Sequence, residues 1–151
     1  MVWLGACSEG LTALAVLDEG TVNHHTDIKK VLPIARKCGK QMLGDHWTFQ
    51  QDGATPHKDH HSQEWRQENF PSFIPTDRWP PNSPDLNPLD YSIWNELVQT
   101  MNWGHVTTKA SLIEELKRAT KKIPKETVLR SCDDFYRHLY QVLKNKEDYI
   151  R

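Results

Sequence analysis

Short apolar runs, turn residues and stretches of helical periodicity follow one another along the chain, and this rhythm predicts a mixed α/β fold. Val2–Ser8 is apolar and strand-like, Glu9-Gly10 makes a turn and Leu11–Leu17 returns, so residues 2–17 read as a hairpin that Asp18-Glu19-Gly20 ends. Ile28, Val31, Leu32, Ala35 and Cys38 recur at helical spacing. They predict a helix capped by Thr26 or Asp27 and running to about Met42, with Pro33 disturbing its start or shifting it later. Trp47–Gln51 reads as a strand, 59–69 as a helix and Phe73-Ile74 as a short strand. A Pro-rich loop follows, with prolines at 75, 80, 81, 84 and 88. Leu89, Ile93, Leu97 and Met101 stand at i,i+4 spacing and predict a helix over Leu89–Asn102. Two more helices are expected at about 108–122 and 125–146, broken at Pro124.

Composition narrows the class. A chain of 151 residues suits one domain and can bury a real core. Its net charge of −1 excludes a globally basic nucleic-acid binder, but the charge is uneven. Residues 1–100 carry 8 Lys/Arg against 13 Asp/Glu, and residues 101–151 carry 11 against 7. That basic C-terminal part reads either as a phosphate-contacting surface or as a solvated helix face. Cys7, Cys38 and Cys132 are odd in number and widely spaced, so neither a disulfide framework nor a zinc knuckle is expected and the natural compartment is reducing. No apolar run approaches the roughly 20 residues of a membrane span, and Leu11–Leu17 lies too far in for a secretory signal.

Candidate chemistry concentrates in two motifs. Asp52 closes Trp47-Thr48-Phe49-Gln50-Gln51-Asp52-Gly53-Ala54, and Asp90 lies within Trp79-Pro80-Pro81-Asn82-Ser83-Pro84-Asp85-Leu86-Asn87-Pro88-Leu89-Asp90-Tyr91-Ser92-Ile93-Trp94, with 37 residues between the two aspartates. A carboxylate at a strand end and another in the first turn of a helix can clamp a divalent metal for phosphodiester chemistry. Both also have bland readings. Asp52-Gly53 is ordinary turn chemistry, and Asn87, Pro88 and Asp90 suit the N-cap, first and third positions of a helix. The two readings of Asp90 are compatible, because a helix N-terminus favours the ionised carboxylate that binds metal.

His57-Lys58-Asp59-His60-His61 is the densest set of metal-ligand side chains. His57 and His61 would share a helix face if that helix began early, but no third ligand is evident, and His24-His25 lie in a loop with no partner in view. The tryptophans at 3, 47, 65, 79, 94 and 103 fall mostly on predicted inner faces, which points to core packing rather than base stacking.

The wording of the motifs adds a resemblance. Gln50-Gln51-Asp52-Gly53-Ala54-Thr55-Pro56-His57 followed by the Trp79–Trp94 motif resembles the catalytic core of mariner-like transposases, in the branch with 37 residues between its last two aspartates. The likeness runs from Val2 to about Tyr149. It implies an RNase H-like fold (the DDE transposase/integrase core) whose three acidic residues hold two Mg²⁺ or Mn²⁺ ions, and an attack on phosphorus by water and then by a DNA 3′-hydroxyl. By this resemblance Asp52 and Asp90 are the second and third catalytic and metal-binding acids, and His57 is a neighbour of the active site. Where the family usually has Ala-Pro-Ala-His, this chain has Ala54-Thr55-Pro56-His57.

The family's first aspartate lies on the first core strand, upstream of a segment like Val2–Ser8, and its helix-turn-helix DNA-binding region lies further upstream; neither is in these residues. The expectation is therefore a truncated catalytic domain over 1–151, with a core at 1–103 holding two aspartates, C-terminal helices at 104–151, and no first central strand. The chain is then a fragment of a longer protein, a truncated gene copy, or a rearranged sheet in which strands two and four meet. The resemblance also implies DNA (transposon ends) as partner, a homodimer or a full-length transposase as protein partner, no membrane, and a nuclear location.

Three readings follow: a transposase fragment, weak in metal binding and inactive as given; a catalytically dead or domesticated nucleic-acid-binding or interaction module; and a structural domain whose acids only cap and turn. Asp52 and Asp90 are expected to converge on one site. In an active chain, Asp18 or Glu9 would have to fill the vacant role.

Overall fold

The computed structural model describes residues 1–17 and 21–144. Asp18-Glu19-Gly20 and residues 145–146 of the last expected helix lie outside the described residues. The chain groups into two bodies: Met1 with Leu17–Ser83, and Val2–Val16 with the chain from Pro84 onward.

In the second body the expected hairpin forms as two short ladders. β1 (Val2–Trp3) pairs antiparallel with β4 (Ala15–Val16), and β2 (Ala6–Cys7) with β3 (Gly10–Leu11). Between the ladders Leu4 and Gly5 face Thr12, Ala13 and Leu14, so the return strand carries one extra residue, a β-bulge. Gly5 suits this spot because the backbones close up there. Its N–H donates to Thr12 Oγ1 at 2.9 Å, its carbonyl accepts from the Thr12 N–H at 2.8 Å, and a Cβ would sit 2.8 Å from the Thr12 methyl. Leu4 and Leu14, flanking the bulge, are buried with Ile93, Leu97, Met101, Ala119, Ile123 and Val128 as one core.

The i,i+4 stripe from Leu89 to Met101 does form a helix. Its first turn, Leu89–Ile93, is π-helical, and α5 (Trp94–Thr100) continues it. The helix stops at Thr100 rather than Asn102, because Met101 turns extended and Trp103–His105 forms a 3₁₀ turn. α6 (Lys109–Lys122) opens on a capping box between Thr108 and Ser111, and α7 (Lys125–Lys144) follows Pro124. Buried Glu115 ties the end of α5 to α6: it accepts from the Asn102 N–H at 2.5 Å and from Arg118 Nε at 2.7 Å, while Arg118 Nη2 donates to the Thr100 carbonyl at 2.9 Å. These hydrogen bonds, Arg118's first, hold the Glu115 carboxyl down at about 2.

In the first body the helix expected from Thr26 or Asp27 starts earlier. Asn23 caps α1 (His24–Thr26), a π-helical turn Asp27–Val31 follows, and α2 (Leu32–Leu43) completes it. Asp27 is no cap; it is wholly buried. Pro33, which lacks an N–H, falls in the first turn of α2, directly after the π turn. Val31, Leu32 and Ala35 are buried as the periodicity implies.

The two expected strands shrink to one parallel bridge, Phe49 with Phe73, in which the Phe49 N–H donates to the Ser72 carbonyl and the Ile74 N–H to the Phe49 carbonyl, both at 2.9 Å. Aromatic contacts from Trp47, Phe49 and Trp65 to Phe70 hold this region more than its ladder does. α3 (Thr55–Lys58) and α4 (His60–Asn69) follow, the latter close to the expected 59–69. The tryptophans are less interior than their positions imply: Trp79 is buried, Trp3, Trp47, Trp65 and Trp94 are half-buried, and Trp103 is exposed.

Gly39 supplies a stability test. Alanine normally favours a helix interior over glycine, but a Cβ at Gly39 would come within 2.6–2.8 Å of the Trp47 indole. Gly39→Ala is therefore expected to destabilise by about 1–3 kcal/mol, the usual range for overpacking, as a lower urea midpoint; a stabilised variant would mean that the indole moves aside freely.

A second test uses Glu115. Its folded-state value is depressed, so its contribution is fully present above the ordinary carboxylate range and is lost as pH falls through about 2. The stability gap between wild type and Glu115→Gln should be constant from pH 8 to pH 6 and close as acid is added towards pH 2; a gap that widened in acid would refute the assignment.

Candidate active site

Asp52 ends the Phe49 strand segment and turns the chain into α3. Its Oδ1 accepts the Ala54 N–H at 3.1 Å, an Asx-type turn, and its side chain is half exposed. The bland reading of Asp52-Gly53 is thus correct as far as it goes. The same turn starts α3 at Thr55, with Pro56 in its first turn, and α3 brings His57 back toward Asp52. His57 Nε2 lies 3.7 Å from Asp52 Oδ1, so Asp52 and its expected neighbour His57 do come together.

Beneath them lies a charged network that no motif announces. Asp27 and Arg66 are 0% and 2% exposed, with Arg66 Nη2 3.2 Å from Asp27 Oδ2. Arg66 also donates from Nη2 to Gln51 Oε1 at 2.5 Å and from Nη1 to the His57 carbonyl at 3.1 Å, and it lies over the Phe49 ring. Gln63 Nε2 reaches the same His57 carbonyl at 2.6 Å. Burial pushes the Arg66 guanidinium down from its ordinary value, and Asp27 pushes it back up.

The network sets the state of the histidine ring. Gln51 Oε1 is committed to Arg66, so the Gln51 amide nitrogen faces His57 Nε2, 3.0 Å away. The amide donates and Nε2 accepts, which places the ring proton of a neutral His57 on Nδ1. Nδ1 in turn faces Asp27 Oδ2 at 3.3 Å, off the line of a hydrogen bond. Asp27, Arg66, Gln51, His57 and Asp52 therefore form a chain from the buried interior to an exposed carboxylate.

Asp90 belongs to the second body and stands exposed in the π-helical first turn of its helix. As expected, Asn87 acts as the cap: its Oδ1 accepts the Leu89 N–H at 3.1 Å, and its carbonyl accepts from the Asp90 N–H at 2.9 Å. The residues after Asp90 pin this turn. Tyr91 donates its hydroxyl to the Ser131 carbonyl, Ser92 Oγ lies 2.7 Å from Ser131 Oγ, and Ile93 is fully buried. Burial pushes the Tyr91 hydroxyl well up, so it stays a donor. The aspartate is held on a fixed turn at the positive end of a helix.

The idea that His57 and His61 share a helix face is corrected. The backbone breaks at Asp59, whose ψ of 136° ends α3 and starts α4, so the two histidines lie on different helices. Asp27 and Arg66 carry no signal as site residues because Asp27 reads as a helix cap, Arg66 stands between Glu64 and Glu68 like a solvated helix charge, and 38 residues separate them.

No family model matches the chain. Over 108 residues it is 28% identical to the Transposable element Tc1 transposase of Caenorhabditis elegans, a match that covers 72% of this chain and 38% of that protein. The crystal structure of the catalytic domain of Mos1 mariner transposase superposes with a TM-score of 0.83 at 16% identity, covering 99% of this chain and 75% of that one. The fold is RNase H-like, that of a mariner transposase catalytic domain. The Mos1 catalytic domain with raltegravir and Mn gives the same score, and the Mos1 mariner paired end complex with Mn gives 0.81 with 44% of its chain covered. The resemblance read from the two aspartate motifs is thereby borne out, with a helix-rich, strand-poor version of the fold. The chain spans well under half the length of the Tc1 transposase.

The ion pair under the mariner-like motif makes a clear prediction. Asp27→Asn or Arg66→Met alone leaves one buried charge without its partner, and each is expected to cost about 3–5 kcal/mol in urea unfolding. The double variant Asp27→Leu/Arg66→Met should recover most of that loss. Single variants no worse than surface substitutions would show that the pair is not buried in solution.

Proposed function

We propose that this chain is a fragment of a mariner-like transposase catalytic domain, whose parent activity is metal-dependent DNA cleavage and strand transfer. The observation that carries the reading is the coincidence of the Asp52 and Asp90 motifs with the mariner catalytic fold over 99% of the chain, supported by the Tc1 similarity.

Asp52 and Asp90 are the residues that would hold the metal. Both present exposed carboxylates, the hard oxygen donors that suit Mg²⁺ or Mn²⁺, and the Asp52 turn occupies only Oδ1 in hydrogen bonding. When bound, such ions neutralise charge at phosphorus and make the attacking oxygen more nucleophilic. The protein's share is positioning: the Ala54 N–H and His57 fix Asp52, the Gln51–Arg66–Asp27 chain fixes His57, and the Asn87 cap with Ser131 fixes the turn bearing Asp90.

DNA is the proposed substrate. The basic C-terminal part supports it: α6 exposes Lys109, Lys117, Lys121 and Lys122, and α7 carries Arg130 with Tyr136 and Tyr140, which are 76% and 68% exposed, the combination that phosphates and stacked bases favour. A second transposase chain is the proposed protein partner and the nucleus the proposed location. The same basic C-terminal segment favours a second reading, a nucleic-acid-binding module derived from a transposase that no longer cuts.

Two carboxylates make a poor Mg²⁺ site, because Mg²⁺ holds its waters tightly. Titration of the 151-residue chain should show Mg²⁺ binding no tighter than about millimolar, lost in Asp52→Asn. Tight binding that survived Asp52→Asn would place the site elsewhere. On a terminal-repeat DNA with Mn²⁺ the chain alone is expected not to nick, since misplacing a reacting group by about 1 Å already costs about a hundredfold. Nicking abolished by Asp90→Ala would overturn the inactivity and assign the vacant role to another carboxylate. DNA retention without nicking, fading steeply with salt, would favour the binding module.

A further inference from the structure

We propose that His24, Asp59 and His61 form a second metal site, selective for a transition-metal ion of the Zn²⁺ class, that uses neither Asp52 nor Asp90. The three residues come from the starts of two helices. His24 opens α1 behind its Asn23 cap, Asp59 is the N-cap of α4, and His61 is the second residue of α4. One ligand atom from each lies within 4.8 Å of the others.

Each oxygen of the Asp59 carboxylate has one imidazole nitrogen beside it, at a separation close to the edge of a metal tetrahedron. Zn²⁺ with bonds of about 2.0–2.1 Å has ligand atoms about 3.3 Å apart along each edge of the tetrahedron. Here His24 Nδ1 lies 3.5 Å from Asp59 Oδ2, and His61 Nδ1 lies 3.0 Å from Asp59 Oδ1. The rings of His24 and His61 are stacked, with centroids 5.4 Å apart and planes 19° apart, so both imidazoles address one carboxylate. Two imidazoles and one carboxylate suit Zn²⁺, Co²⁺ or Ni²⁺ far better than Mg²⁺, which prefers oxygen throughout.

A simple helix cap explains only part of this arrangement. Asp59 accepting from the His61 N–H and from its ring is ordinary capping. It does not account for His24, brought from 35 positions earlier in the chain to the other oxygen of the same carboxylate. His24 and Asp59 are 31% exposed and His61 is 68% exposed, so an ion enters from solvent and keeps a position for water. Its effect would be to clamp the start of α1 to the start of α4, the segments just before Asp27 and Arg66.

The test is calorimetric titration of the chelator-treated 151-residue chain with ZnCl₂, with Co²⁺ visible absorption as a second readout. We expect one Zn²⁺ per chain, a four-coordinate Co²⁺ spectrum and a Tm raised by Zn²⁺. His24→Gln and His61→Gln should each weaken binding by at least about tenfold, since even outer-layer partners of metal ligands are worth about 10–100-fold. Asp52→Asn should leave Zn²⁺ binding intact, which separates this site from the proposed active site. Absence of Zn²⁺ binding by the wild-type chain, or binding unchanged in His24→Gln, would overturn the proposal and reduce Asp59–His61 to a helix cap.

Discussion

The buried Asp27–Arg66 pair is the constraint on which the organisation of the first body depends. A buried guanidinium is costly unless it is paired and hydrogen-bonded, and Arg66 spends its terminal nitrogens on Asp27, Gln51 and the His57 carbonyl, while its Nε meets no partner among the described residues. Those acceptors lie in three separate segments: the π turn after α1, the end of the Phe49 strand, and α3. Satisfying one cation therefore fixes where three pieces of chain sit. An apolar substitute could fill the same volume, but it would not orient Gln51, and without that orientation the His57 ring would lose its defined tautomer.

Each body brings its aspartate to a fixed position by a different means. Asp52 stands on a turn supported by the charged network below it, where geometry comes from hydrogen bonds. Asp90 stands on a turn supported by packing, with Ile93 in the core and Tyr91 and Ser92 tied to Ser131. Each body contains a π-helical turn, at Asp27–Val31 and Leu89–Ile93, a deviation that helices often use at functional positions. In the mariner-like reading, both acids are exposed side chains carried on pinned turns.

The two metal proposals differ in ligand chemistry. Asp52 and Asp90 offer oxygen alone, which suits a hard ion that exchanges readily and takes part in phosphoryl chemistry. His24, Asp59 and His61 offer mixed nitrogen and oxygen, which suits an ion of the Zn²⁺ class. A chain can hold both without competition because the donor sets select different ions.

Much of the fold was legible in the sequence because it follows local rules. The i,i+4 stripe from Leu89, the break at Pro124, the hairpin turn (at Ser8-Glu9, one residue before the expected Glu9-Gly10) and the Asn87 cap all rest on interactions within a few residues, and the two aspartate motifs identified the family resemblance that the fold and the Tc1 similarity bear out. What the tertiary structure alone decided depends on distant partners. Asp27 reads as a helix cap until Arg66 is placed beside it. His24 has no visible partner until the fold carries it to Asp59. The Trp47–Gln51 strand reads as a strand until its ladder proves to be one bridge with Phe73. The grouping of residues 2–16 with the helices after Pro84 is equally non-local. Periodicity reports which face of an element is apolar; it carries no record of which distant charge, ring or strand that face will meet.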